Sequence, residues 1–153
     1  DVHLFGYEST AQIVDSQNSE HIAQWNLNAS VSATGEQIEY QYRAEDEQGC
    51  DEHEIKNHPN SNTQRYLGQV YYGNPVGERT FSCTKPHNTL PKNALFTLVF
   101  DYGERSSALA DYPQWQSHSA WALRKDCFSV FHYGFELRTR RLCRQVLMYH
   151  RLE

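Results

Sequence analysis

An all-β fold of antiparallel hairpins is what this 153-residue chain predicts, on three observations. Aromatic residues make up 13% of it, with ten Tyr, seven Phe and three Trp, side chains that suit the half-buried surface of a pleated sheet. The helix formers Ala, Lys and Met are sparse, which weakens the case for a helical protein. Several stretches alternate apolar and polar residues with period two, and Gly, Pro, Asn and Ser fall between them.

Residues 21–28 (HIAQWNLN) form the first expected strand, with Ile22 and Trp25 as its bulky members. A turn at Ser32, Ala33, Thr34 and Gly35 leads into residues 37–43 (QIEYQYR), where Ile38, Tyr40 and Tyr42 share one face and Glu39 and Gln41 the other. Residues 45–62 are polar and broken by Gly49 and Pro59, so a long loop is expected. A strand at 66–72 (YLGQVYY) stops at Gly73, Asn74 and Pro75. A short strand at 80–83 precedes the turn-rich 85–93, and 95–102 (LFTLVFDY) is the most apolar strand of the chain. Residues 103–121 read as a loop that returns Trp115 and Trp121 to a core, because a Trp buries a large area wherever it finds a surface. The segment 135–152 shows both periods: Phe135, Leu137 and Thr139 alternate, whereas Leu142, Cys143, Val146, Leu147 and His150 recur as on a helix face. We read it as a strand kinked near Arg140 and Arg141. The expected core is Ile22, Trp25, Ile38, Tyr40, Tyr42, Leu67, Val70, Phe96, Leu98, Phe100, Phe135, Leu137 and Val146.

Charge is segregated along the chain. Residues 1–54 hold twelve acids and one base, or −11; residues 55–123 hold four acids and six bases, or +2; residues 124–153 hold three acids and seven bases, or +4, which sums to the formal −5. An acidic front and a basic end are expected to attract each other within the fold, and an acidic total argues against nucleic acid as a partner. No run of eighteen apolar residues spans a membrane, and the first thirty residues lack the pattern of a signal peptide. Because residue 1 is Asp rather than Met, a cut or processed piece of a longer protein is expected. The four cysteines, Cys50, Cys83, Cys127 and Cys143, form no CxxC pair and are expected as free thiols in the interior.

Two tyrosine-bearing segments, GEQIEYQYRAE and YLGQVYYGN, resemble the units of Rhs or YD repeats, in which each hairpin extends a continuous sheet. The spacing is too irregular for a repeat, but a strip of this kind would form part of a larger Rhs-like sheet or shell. A more specific resemblance lies in residues 124–152, RKDCFSVFHYGFELRTRRLCRQVLMYHRL, above all in the string Gly134, Phe135, Glu136, Arg138, Thr139, Arg141, Leu142, Cys143 and Arg144. It resembles the SpvB-type domain of plasmid virulence proteins and of the B component of bacterial toxin complexes. Residues 13–43, the RAED at 43–46 and RYLGQVYYGN at 65–74 fit the same family. Phe131 stands where the family pattern has Tyr, and Tyr149, His150 and Arg151 stand where it has Phe, His and His. The resemblance implies a scaffold at the amino-terminal side of a larger secreted toxin, delivered outside the cell or into a host, with any ADP-ribosyltransferase or other effector on a separate domain. It implies that residues 1–153 are one domain or the later part of one. Its partners would be other domains of the same toxin or a companion subunit.

Chemistry has little to rest on in the residues themselves. Glu45-Asp46-Glu47 and Glu52-His53-Glu54 both fit the Glu-x-Glu pair of an ADP-ribosyltransferase, yet the upstream Arg strand and Ser-Thr-Ser strand are missing. Cys50, His53 and His58, with Asp51 or Glu54, are of the right types for zinc, but lack a second paired half. Cys127 and Cys143 lie near His132 and His150 in the sequence, and Cys143 is expected in the core, where a thiol is inert. No glycine-rich phosphate loop, HExxH or GxSxG occurs, so no catalytic residue, cofactor or metal is assigned. Arg138, Arg140, Arg141 and Arg144 are the candidate interaction residues, with Arg138 and Arg140 expected to meet carboxylates of a neighbouring strand. The expected function is a non-catalytic scaffold or delivery module of a secreted bacterial toxin; the alternative is a module that docks a secretion or host protein through its acidic loop or Arg-rich end.

Overall fold

The structure, a computed structural model, describes residues 1–74, 94–105 and 115–151. The strand expected at 80–83 and the turns at 85–93 lie outside the described residues. The protein is all-β. Its elements are β1 (Val2–Phe5), a 3-10 turn (Ser9–Ala11), β2 (Gln12–Asp15), β3 (Asn18–Trp25), β4 (Leu27–Val31), β5 (Gln37–Ala44), α1 (Glu52–Asn57), β6 (Arg65–Tyr72), β7 (Phe96–Asp101), β8 (Phe128–Val130), β9 (Leu137–Thr139) and β10 (Gln145–His150).

Six strands form one antiparallel sheet in the order β1-β4-β5-β6-β7-β10, while β2 pairs with β3 and β8 with β9. The expected strand over 21–28 is two strands that break at Asn26, whose N–H donates to Ala11 O. The β4–β5 hairpin closes through Ser32 and Glu36, with Gly35 at φ 83°, a left-handed conformation that glycine adopts without steric cost. The kinked strand at 135–152 resolves into β9 and β10, separated by residues 140–144 and placed in different sheets. The polar stretch 45–62 is not wholly a loop. Asp51 caps α1 by accepting from the Glu54 N–H at 2.7 Å, a local signal that the surrounding turn residues obscured.

The covered face of the large sheet departs from expectation. Alternation in β5 and β7 separates two faces, and the buried one carries Gln37, Glu39, Thr97, Val99 and Asp101 rather than Ile38, Tyr40, Phe96, Leu98 and Phe100. Of the expected core, Val70 and Leu137 are buried, Trp25 and Val146 are more than half exposed, and the rest are half-buried. Period two specifies which residues share a face, but which face is covered depends on packing from distant segments. The interior instead contains Ala11, Ile13, Ala29, Val31 and a cluster of Tyr66, Tyr102 and Trp121, whose rings meet edge to face at 5.4 to 5.9 Å. Trp121 returns to this core as expected; Trp115 stays 44% exposed, its ring against Tyr149. Cys50 and Cys127 are free and half-buried, and Cys143 is exposed rather than in the core, because the chain at 140–144 has left the sheet.

Candidate functional site

The acidic front and the basic end of the chain meet in one buried ionic knot. Arg138 grips Glu54 with both arms of its guanidinium, Nε to Oε1 at 2.7 Å and Nη2 to Oε2 at 2.9 Å. Arg140 donates from Nε to the same Glu54 Oε1 at 2.9 Å, and its Nη2 reaches Ser61 Oγ at 2.9 Å and His58 O at 3.2 Å. Arg141 holds Glu45 through both Nε and Nη2, donates from Nη1 to Trp121 O at 2.9 Å, and brings Nη2 to 3.4 Å from Cys50 Sγ. The side chains of Arg140, Arg141 and Glu45 are fully buried.

Each participant is positioned by its own element. α1 aims Glu54 inward from its first turn, β9 supplies Arg138, and the break after β9 turns two successive arginines into the interior. The Tyr66 hydroxyl, from β6, accepts the N–H of Arg140 at 2.8 Å and of Arg141 at 3.3 Å, so the chain can leave β9 without orphaning those donors. Burial pushes that phenol up to about 12. The Arg43 and Arg141 guanidinium carbons lie over the Trp121 ring at 3.8 and 4.5 Å from its centre, and Trp121 Nε1 donates to Asp46 at 2.7 Å. A second ring of contacts joins His58 Nδ1 to Glu136 Oε1 at 2.7 Å, and that carboxylate also accepts from Ser129 Oγ.

The electrostatics favour charge-bearing partners over reactive ones. The hydrogen bonds from Arg138, joined by those of Arg140 against the cost of burial, hold the Glu54 carboxyl down at about 2. A carboxylate so stabilised is a poor base. Thus in the two Glu-x-Glu matches Glu45 and Glu54 are bound by arginines, Glu47 sits 3.4 Å from Arg140, and only Glu52 is open to solvent. Cys50, His53 and His58 do not converge: Cys50 faces Arg141, His58 faces Glu136 and His53 lies exposed on α1. Burial raises the thiols of Cys50, Cys127 and Cys143. A cleft of about 330 Å³ at Glu36, Gln37, Ile38, Tyr72, Gly73 and Asn74 carries a single carboxylate.

Of the four candidate arginines, the fold brings Arg138, Arg140 and Arg141 together and leaves Arg144 exposed beside Gly103. Arg138 and Arg140 meet Glu54 of α1 rather than a carboxylate of a neighbouring strand. The partners Glu45, Glu47 and Glu54 were not singled out for this role; their one sequence signal is the −11 of the front against the +4 of the end. The contacts between His58 and Glu136 and between Arg43 and Trp121 left no signal.

Comparison with known proteins places this architecture. Residues 1–152 match the family model described as Salmonella virulence plasmid 65kDa B protein, SpvB. The mono(ADP-ribosyl)transferase SpvB of Salmonella typhimurium strain 14028s is 40% identical over 151 residues, which is 97% of this chain and 25% of that protein. Among solved structures, a TcdB2-TccC3 crystal structure superposes with a TM-score of 0.87 at 50% identity, covering 97% of this chain and 7% of that one. The N-terminal domain of the effector protein SpvB from Salmonella typhimurium strain LT2 gives 0.82 at 38% identity, covering 98% of this chain and 47% of that one. The chain belongs to the SpvB family, and it spans about a quarter of the length of the curated relatives it matches.

Proposed function

We propose that the chain is a non-catalytic scaffold and delivery module of a secreted bacterial virulence toxin, one part of an SpvB-type domain within a β-shell that supports or encloses an effector. The observation that carries this reading is the occupancy of the knot. The carboxylates that a transferase would need free, Glu45 and Glu54, are held by buried arginines. Likeness to a toxin complex and to the N-terminal domain of SpvB supports it from outside, and the name transferase belongs to a protein four times longer than this match. Partners are then other domains of the same toxin or a companion subunit. Docking of a foreign protein through the acidic loop or the Arg-rich end has fewer charges to work with, since Arg138, Arg140 and Arg141 are satisfied internally, which leaves Arg144 as the exposed member of the set.

The test is removal of this module from the full parent toxin. Effector turnover measured in solution is expected to persist while delivery into target cells is lost. Loss of turnover in solution, or delivery that survives the deletion, overturns the reading.

A further inference from the structure

We infer that the half-open apolar face of the six-stranded sheet is the seat of another segment of the same toxin polypeptide, an apolar strand or helix from the remainder of the SpvB-type domain. The inference rests on the scaffold reading and names the partner that reading requires. Cross-strand register lays out the face in two rows. Tyr40, Val70, Leu98 and Met148 stand directly opposite one another across β5, β6, β7 and β10, and Ile38, Tyr72, Phe96 and His150 form the row beside them. Tyr72, Phe96 and His150 stack with ring centres 5.1 and 4.6 Å apart, and the Tyr72 hydroxyl lies 3.9 Å from Met148 Sδ. Neither row contains Asp, Glu, Lys or Arg.

Isolated exposed apolar side chains are ordinary, but a contiguous set on one sheet face is not. Here Met148 is 62% and its neighbour Val146 51% exposed while Val70 in the same row is 7% exposed, so the opening lies along the edge strand β10; on the opposite face Gln37, Glu39, Thr97 and Asp101 are buried. A sheet that covers its polar face and leaves its apolar face half open has a second layer still to receive. The size of the relatives identifies the occupant. This chain covers 47% of the SpvB N-terminal domain structure, so that structure holds about as much chain again beyond the matched part. The chemistry of the rows selects an uncharged segment with aliphatic or aromatic side chains, free to pack on stacked rings.

Met148 is the single methionine of the chain and serves as its own probe. The full parent toxin is treated with hydrogen peroxide, native and urea-unfolded, and sulfoxide at Met148 is read by peptide mass spectrometry. Oxidation about tenfold slower in the native toxin is expected, as for a side chain covered by a packed segment. Equal rates overturn the inference, and if delivery is intact they leave the scaffold reading standing. A photo-cross-linking residue at Val146 then identifies the cover. A link to a segment of the same polypeptide outside residues 1–153 supports the inference; a link to another part of residues 1–153, to a companion subunit, a second copy or the effector overturns it.

Discussion

Glu54 accepts from two arginines at once, and its removal leaves Arg138 without a carboxylate partner among the described residues and Arg140 with only Glu47 at 3.4 Å. Glu54→Gln is therefore expected to cost about 3 kcal/mol in urea unfolding at neutral pH, as for the loss of one member of a buried pair. Because the folded carboxyl is held near 2, below its ordinary 4.5, this contribution is full above pH 4.5 and fades as pH falls toward 2, so wild type and variant converge in acid. Glu39 is the opposite case. It is buried with Oε2 unpartnered, and desolvation, relieved in part by Gln41 and aggravated by Glu8, raises its carboxyl. A raised acid destabilises the fold as pH climbs above the ordinary 4.5, since ionisation then occurs first in the unfolded chain. Glu39→Gln should thus raise the melting temperature at pH 8 and leave it nearly unchanged at pH 4; a lower melting temperature at both would show that the buried oxygen has a partner.

At the scale of elements, the knot depends on the short connection between β5 and α1. Gly49 stands at φ 71°, and a Cβ there would come 2.8 Å from the Trp121 carbonyl that also accepts from Arg141. Backbone, unlike a long side chain, cannot swing aside. Gly49→Ala is expected to cost roughly 1–3 kcal/mol, the range for a strained backbone position. Altered near-ultraviolet dichroism from Trp121 would accompany the loss, and an unchanged spectrum with unchanged stability would mean that the connection yields freely. The same elements show where local reasoning reached. β5, β6 and β7 were legible to within a residue or two because alternation and flanking glycines are local signals. α1 was not, since six residues among Gly, Pro and acidic side chains leave only Asp51 as a cue.

Across the whole molecule, the segregated charge of the sequence becomes long-range cross-bracing: Arg141 and Glu45 are 96 residues apart, Arg138 and Glu54 are 84. Pairs buried as these are, Arg141–Glu45 fully and Arg138–Glu54 nearly so, are little screened, so raising sodium chloride from about 0.1 to about 1 M should scarcely move the unfolding midpoint, and a large drop would place the stabilising charges at the surface. The amino-acid sequence by itself determined the β character, three central strands, the family motif and the attraction between an acidic front and a basic end, because composition, period two and net charge are properties of short windows. Only the tertiary structure decided that Arg140 and Arg141 turn inward, which carboxylate each one takes, and that Gln37, Glu39 and Thr97 are covered while Leu98 and Met148 look outward. Alternation defines two faces of a strand without ranking them. The ranking comes from whatever segment packs above, and that contact lies far away along the chain.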